Sequence, residues 1–229
     1  MHVAVQTWSD DHIAALLVTT VTVAALVVAA RRDDAWAGRA GRALALVILA
    51  AYIGEHITYV ARGEWTARVN LPLHLTDVVT LASVAALWRP DSPLLVELVY
   101  FWALSASLQA VLTPDLGHGF PDVLFFTYFV THSGAVAAAC LLVFGAGRAP
   151  RPGAVGRAFV ITLGVAVLAA VATVLTGGNY MFLRRKPAHA SLLDVMGPWP
   201  LYIVSGAALG LLLFLALAAA ARRVPARGA

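Results

Sequence analysis

The chain has 229 residues, of which 61% are hydrophobic and 12% are charged. Because ordinary soluble domains carry roughly 25% charged residues, this composition excludes a soluble globular domain and favours a membrane protein. The net charge of +4 does not indicate a nucleic-acid partner, since the cations follow a membrane topology.

Seven apolar stretches of about 20 residues follow one another, each long enough to cross ~30 Å of hydrocarbon. They cover residues 11–30, 42–61, 71–88, 93–112, 121–144, 157–176 and 198–221. The connections are short, so we predict a single all-α domain over residues 1–229, a polytopic bundle of seven transmembrane helices. The N-terminus has no basic region before the first stretch, so we expect that stretch to be retained and not cleaved as a signal peptide.

The cations predict the orientation of this bundle, because cytoplasmic loops attract Lys and Arg. With the N-terminus outside, eleven cations lie inside and five outside. We therefore predict an external N-terminus and a cytoplasmic C-terminus. The inside set is Arg31, Arg32, Arg39, Arg42, Arg89, Arg148, Arg151, Arg157, Arg222, Arg223 and Arg227. The outside set is Arg62, Arg68, Arg184, Arg185 and Lys186.

The outer connection at residues 177–197 differs from the others because it is long and half apolar. Such a segment is wrong for a solvated linker, and we predict that it folds back onto the bundle. It contains Arg184, Arg185 and Lys186 on the side that the charge bias disfavours. Two interpretations stay open for these cations, a site for lipid phosphate and ordinary contact with lipid headgroups.

Most polar residues of the apolar stretches lie toward the outer ends, which predicts a polar cavity open to the extracytoplasmic side. Glu97 is an exception near the inner end of the fourth stretch, and we expect it to pair with an arginine such as Arg89. Cys140 is the only cysteine, and we interpret it as a small buried packing residue.

Residues 71–80 place His74, Thr76 and Asp77 at the mouth of an apolar stretch, where ionisable groups are costly and suggest a function. In a helix His74 and Asp77 share a face, whereas Thr76 points almost the opposite way. A Thr76 nucleophile would therefore need a base from another helix, and His132 is the deepest histidine. Thr76 is about six residues into the third stretch, whereas His132 is about eleven residues into the fifth. The two side chains can therefore meet only if the third helix starts earlier, near Trp65, or is tilted.

Other interpretations of these residues stay open. Asn179, Tyr180 or Arg184 could stabilise a developing oxyanion, and Thr76 could simply bond to the carbonyl four residues back. His74 and Asp77 could be a neutralising intramembrane pair. A zinc site would draw on His and carboxylate ligands, but neither HExxH nor a two-histidine helical spacing occurs. The residues for that site would be Glu55, His56, His74, Asp77 and His132.

Several motifs resemble the YwaF family of bacterial integral membrane proteins. They are Leu71-Pro72-Leu73-His74-Leu75, Gly178-Asn179-Tyr180-Met181-Phe182-Leu183, Lys186-Pro187, Ser191-Leu192-Leu193-Asp194 and Gly197-Pro198-Trp199-Pro200-Leu201-Tyr202-Ile203. The family is similar to a eukaryotic transmembrane acyltransferase that remodels ether phospholipids, and distantly to the androgen-induced hydrolases of fatty-acid esters of hydroxy fatty acids. The resemblance covers the chain from the second stretch through the seventh.

The resemblance implies acyl chemistry in the cytoplasmic membrane of a bacterium. The acyltransferase uses a cysteine with a histidine and the hydrolases use a threonine with a histidine. Thr76 occupies the cysteine position here, and His132 matches the region of the histidine. The implied function is an intramembrane lipid acyl hydrolase or acyltransferase with Thr76 and His132 as catalytic residues. Substrate-binding residues would be His74, Asp77, Asn179, Tyr180, Arg184, Arg185, Lys186 and Asp194.

The partner implied is a membrane lipid, either a phospholipid or a fatty-acid ester. No metal, organic cofactor or nucleic acid is expected. One alternative is a non-catalytic binding or transport protein for a small polar or lipidic solute, although the sequence contains no inverted repeat or paired half-helices. The other alternative is a metal-dependent intramembrane hydrolase.

Overall fold

The computed structural model describes residues 5–187 and 191–223. Arg227 and residues 188–190 of the outer loop lie outside these ranges. The described residues form α-helices interrupted by two π-helical turns and joined by two 3₁₀ turns. The α-helices are α1 (Asp10–Ala30), α2 (Asp34–Ala61), α3 (Leu75–Trp88), α4 (Pro93–Trp102), α5 (Leu108–Leu112), α6 (Val123–Cys140), α7 (Ala154–Thr176) and α8 (Leu201–Ala221). The π turns are Ala103–Ser107 and Leu141–Gly145, and the 3₁₀ turns are Tyr180–Phe182 and Leu192–Val195.

Six helical segments are long and apolar enough to cross a membrane, and α3 is a shorter apolar helix. The first π turn joins α4 and α5 into one segment, Pro93–Leu112, and the second extends α6 to Gly145. Each predicted stretch corresponds to one of these seven segments, so the predicted polytopic all-α fold is confirmed. We call the end with the α1–α2 and α3–α4 connections the inner end, following the charge bias.

The core is built by α2, α3, α4 and α6, and it contains the largest buried side chains, such as Trp102, Tyr100 and Ile48. Gly134 lets α6 approach α2, since an added methyl group there would lie only 2.6 Å from Ile48 Cγ1. By contrast, α1, α7 and α8 expose many large apolar side chains, for example Val18 and Val174. A surface of this kind suits contact with lipid.

Two helix starts differ from the predicted stretches by four residues or more. The α2 helix begins at Asp34, eight residues before the predicted start, because the Asp33 side chain accepts the Trp36 N–H (2.9 Å) and caps it. The α3 helix begins only at Leu75, because His74 has extended backbone angles (φ −71°, ψ 147°). This short α3 therefore starts inside the bundle, and the residues before it reach inward from the outer surface.

The inner end is fastened by a buried carboxylate. Glu97 is 1% exposed, and its oxygens accept hydrogen bonds from Arg151 Nε and Arg157 Nη2, both at 2.8 Å. The predicted pairing of Glu97 with an arginine is confirmed, but its partners are Arg151 and Arg157 and not Arg89. The two arginines come from the connection before α7 and from its first turns, so the cluster ties that connection to α4. Cys140 is half-buried and has a free thiol.

Candidate functional site

The start of α3 is organised by Asp77, whose Oδ2 accepts the backbone N–H of His74 at 3.1 Å. His74 precedes the helix, so the two residues meet through this cap and not as neighbours on one helical face. The His74 ring turns outward, where its Nδ1 accepts the Met181 N–H at 3.4 Å. The ring also packs against Tyr180, with centroids 5.2 Å apart. His74 thus connects α3 to the outer loop.

Two outer loops, residues 66–74 and 177–186, form a junction that we call the outer clasp. The buried Tyr180 hydroxyl donates to the Ala67 carbonyl (2.7 Å) and accepts the Leu71 N–H (3.1 Å). Gly178 lies so close to the other loop that an added methyl group would be 2.3 Å from the Arg68 carbonyl oxygen. The outer clasp therefore closes over the start of α3.

Asn179 serves the same junction. Its Oδ1 accepts the backbone N–H groups of Arg184 (3.0 Å) and Arg185 (3.1 Å), and its Nδ2 donates to the Arg185 carbonyl (2.8 Å). Sequence reasoning assigned Asn179 and Tyr180 to the substrate, whereas in the structure their polar atoms hold backbone. Their part in substrate binding stays a prediction.

The three cations of the outer connection differ in the exposure and the contacts of their side chains. Arg184 and Arg185 are exposed at the outer surface. Lys186 is half-buried, donates to the Asp194 carbonyl (3.3 Å) and lies 5.6 Å from the Tyr202 ring centroid. The Asp194 carboxylate accepts the Ser191 N–H at 2.7 Å, which caps the second 3₁₀ turn. The two arginines are therefore the better placed pair for a lipid phosphate.

Thr76 and His132 lie at similar heights in the bundle. A methyl group added at Gly41 would lie 3.5 Å from Leu87 and 3.7 Å from Leu141, so these three residues define one inner layer. Thr76 is eleven residues from Leu87 and His132 is nine residues from Leu141. At 1.5 Å per residue, Thr76 lies about 16 Å and His132 about 14 Å from the inner layer, toward the outer end. The α3 and α6 helices pack against each other.

The Thr76 hydroxyl differs from most helix hydroxyls of this chain. Among the described residues, ten Ser and Thr side chains bond to the carbonyl four residues back, for example Thr80 to the Thr76 carbonyl (2.8 Å). Thr76 is the second residue of α3 and has no helical turn before it. Within the described residues its hydroxyl makes no hydrogen bond, so the alternative of a hydroxyl bonded four residues back does not apply.

His132 is the second polar group at this height. Its Nδ1 is buried and has no hydrogen-bond partner among the described residues. The ring packs edge-on against Tyr128, with centroids 4.2 Å apart. An imidazole that is not committed to a structural hydrogen bond can accept or donate a proton when substrate binds.

Further polar side chains lie on α2 and α3, two helices that pack against each other. They are Tyr52 and Glu55 of α2 and Asp77 of α3. The Tyr52 hydroxyl is buried without a partner in the described part of the chain. Sequence reasoning did not select Tyr52, although its three-residue spacing from Glu55 on an apolar helix was a usable signal.

The predicted zinc ligands are not gathered into one site. Across residues 5–187 and 191–223, no three His, Cys, Asp or Glu side chains are grouped as a metal ion would require. His56 instead accepts the Trp65 indole N–H on its Nδ1 at 3.3 Å. The metal-dependent alternative therefore gains no support from these residues.

The fold defines a polytopic helical membrane protein whose bundle encloses polar side chains, among them Thr80, Ser83 and Glu97. Residues 7–218 match the model of the TMEM164 family. This match covers most of the chain, and the chain belongs to the TMEM164 family, a family of membrane proteins. No curated protein and no solved structure matches the chain.

Proposed function

We propose that this protein is an intramembrane lipid acyl hydrolase or acyltransferase, with Thr76 as nucleophile and His132 as base. The observation that carries the proposal is a helix hydroxyl without a hydrogen bond on α3 and, at about the same height on the neighbouring α6, an imidazole whose buried Nδ1 has no partner among the described residues. A threonine hydroxyl is a weak nucleophile unless a neighbouring base takes its proton, and imidazole is suited to that task at neutral pH.

The reaction begins when Thr76 Oγ1 attacks the carbonyl carbon of a lipid ester while its proton moves to the His132 imidazole. The tetrahedral intermediate then collapses, the bond to the lipid alcohol breaks, and the imidazolium returns the proton to the departing oxygen. The acyl group is left on Thr76. A water molecule or the hydroxyl of a second lipid, deprotonated by His132, attacks the acyl carbonyl, the bond to Thr76 Oγ1 breaks, and the imidazolium returns the proton to Thr76 Oγ1. The first acceptor gives hydrolysis and the second gives acyl transfer.

The substrate that fits this proposal is a membrane lipid, either a phospholipid or a fatty-acid ester. Arg184 and Arg185 are exposed within the outer clasp and would bind a phosphate of the headgroup. Lys186 already donates to the Asp194 carbonyl, so its contribution would be smaller. We place the protein in the cytoplasmic membrane of a bacterium, as the resemblance implies.

A fluorophosphonate probe tests the activated hydroxyl directly, using detergent-solubilised protein. We expect labelling of the wild type and of Thr76→Ser, and at least a hundredfold less labelling of Thr76→Ala and His132→Ala, because activated nucleophiles lose roughly that much without their base. Thr80→Ala is the matched control, since the Thr80 hydroxyl is bonded to the Thr76 carbonyl. Equal labelling of wild type and Thr76→Ala, or labelling of none of the proteins, would overturn the proposal.

A further inference from the structure

A second hydroxyl inside the bundle also lacks a partner. Ser107 is fully buried, and its Oγ makes no hydrogen bond to any described residue. A buried polar atom without a partner is costly in a protein interior and costlier in a membrane. Most such atoms in native proteins have a partner. The turn that contains Ser107 packs against α6, where the buried His132 Nδ1 also has no partner among the described residues, and two such atoms on packed segments point to a bound polar group.

Ser107 and His132 lie at similar heights on two segments that pack against each other. The Tyr128 hydroxyl donates to the Ala110 carbonyl at 2.9 Å, which fixes the register of α6 against the antiparallel α5. His132 is one turn inward from Tyr128 and contacts its ring, so it shares that face. Ser107 is three residues inward from Ala110. At 1.5 Å per residue the two positions lie about 6 Å and about 5 Å below the Tyr128–Ala110 bond.

The π turn at Ala103–Ser107 distinguishes Ser107 from its neighbour Ser105. Ser105 donates to the Phe101 carbonyl at 2.6 Å, as helix hydroxyls usually do. Ser107 ends the π turn, which packs against both α3 and α6. The π-helical turns that interrupt α-helices are frequent at functional sites because they redirect side chains. This turn presents a hydroxyl to the interface where the proposed nucleophile and base lie.

We propose that Ser107 and His132 form a closed site for the carbonyl group of an uncharged fatty-acyl ester, with Ser107 donating a hydrogen bond to the carbonyl oxygen. The buried neighbours Ala103, Val111 and Phe129 are apolar and suit the acyl chain. An anionic ligand is disfavoured because neither Ser107 Oγ nor His132 Nδ1 has a charged partner among the described residues, and burying an unpaired charge is costly. The inference rests on the proposed acyl chemistry for the ligand class.

Photolabelling tests the site with a defined probe, a diazirine-bearing palmitic acid methyl ester. The specific signal is the labelling that an excess of unlabelled methyl palmitate prevents. We expect Ser107→Ala to reduce this signal about tenfold, the effect of one lost hydrogen bond of about 1.4 kcal/mol. Ser105→Ala is the matched control and should label like the wild type. Free palmitate should compete poorly. Undiminished labelling of Ser107→Ala, or equal competition by palmitate, would overturn the inference.

Thr76→Ala separates this inference from the proposed function, since it should keep the ester photolabelling while losing the fluorophosphonate reaction. If photolabelling depends on Ser107 but the fluorophosphonate labels no protein, the proposed function alone is contradicted. If the fluorophosphonate labels Thr76 but photolabelling does not depend on Ser107, the inference about Ser107 alone is contradicted.

A cysteine variant covers the case in which Ser107→Ala fails to fold. In a Cys140→Ala background, the Ser107→Cys thiol should react more slowly with methyl methanethiosulfonate when methyl palmitate is present. Ser105→Cys should react at the same rate with and without the ester. Equal rates for Ser107→Cys under both conditions would count against an ester at this site.

Discussion

The two ends of the bundle are held together in different ways. At the inner end, charge does the fastening, because the buried Glu97 carboxylate accepts hydrogen bonds from two arginines. At the outer end, the outer clasp uses mainly neutral groups such as Tyr180 and Asn179, which bond to backbone. Between them lies the layer where His132 and Ser107 have buried atoms without partners in the described residues. At the two ends, hydrogen-bonded polar groups hold chain segments together. Between the ends, the polar atoms without partners mark the region where we place the acyl chemistry.

The largest effect is expected at the inner end. Glu97→Ala should lower the free energy of unfolding by about 3 kcal/mol, since it breaks a buried ion cluster and leaves a cavity between α4 and α7. The loss should appear as a lower Tm in detergent. Asp91→Ala is the matched control, because Asp91 pairs with Arg148 (2.9 Å) but its side chain is 89% exposed. Its cost should be below about 1 kcal/mol. Equal losses of stability in Glu97→Ala and Asp91→Ala would mean that the buried Glu97 cluster does not hold the inner end together.

The next largest effect is expected in the outer clasp. Gly178→Ala should cost about 2 kcal/mol, because a methyl group 2.3 Å from the Arg68 carbonyl oxygen forces the two loops apart. Gly156→Ala is the control, since no atom lies within 4 Å of an added methyl group there and alanine favours the helix. Differential scanning fluorimetry compares the variants. A Gly178→Ala protein as stable as Gly156→Ala would show that the clasp is loose.

The helices were predictable because a run of about 20 apolar residues has few folded solutions in a membrane. Their ends were less so. The start of α2 depends on a side-chain cap at Asp33, and α3 starts at Leu75 because Asp77 caps the extended His74. Neither cap interrupts or extends the apolar pattern in a way that reveals the helix start.

The heights of Thr76 and His132 were not predictable for the same reason. Counted from the outer ends of the predicted stretches, the two residues differed in depth. The structure does not start α3 earlier, near Trp65. Instead it starts α3 within the bundle, and counting from the inner layer of Leu87 and Leu141 brings Thr76 and His132 to similar heights. Likewise, the partners of Glu97 lie more than fifty residues away in sequence, where local spacing gives no signal.

A smaller effect should separate hydrogen bonding from packing in the outer clasp. Tyr180→Phe removes the hydroxyl that bridges Ala67 and Leu71 and should cost about 1 kcal/mol. Hydrogen exchange at the Leu71 amide should accelerate, because that N–H loses its acceptor. Tyr59→Phe is the control, since the Tyr59 hydroxyl makes no hydrogen bond to a described residue. Unchanged exchange at Leu71 would mean that packing alone holds the two loops.

The smallest effect is expected from a charged pair at the outer end, which is the exception to its neutral character. Arg62, just after α2, bonds to Asp122 Oδ1 at 2.9 Å, and Asp122 also accepts the Leu124 N–H (2.8 Å) to cap α6. Burial raises the pKa of Asp122, but the hydrogen bonds from Arg62 and Leu124 lower it by more, and the net pKa lies below its ordinary value. The folded protein therefore releases this proton more readily than the unfolded chain.

Because the pKa of Asp122 is lower in the folded state, the pair stabilises the fold fully above the unfolded value of about 3.9. That stabilisation is lost as the pH falls through the folded pKa. We expect the Tm difference between wild type and Asp122→Asn to be constant from neutral pH down to about pH 5 and to shrink below about pH 4. His118 Nδ1 lies 3.6 Å from Asp122 Oδ2, so His118→Gln is measured beside it. A difference that stayed constant down to about pH 2, or that shrank already between about pH 7 and pH 5, would contradict this role of the Asp122 carboxylate.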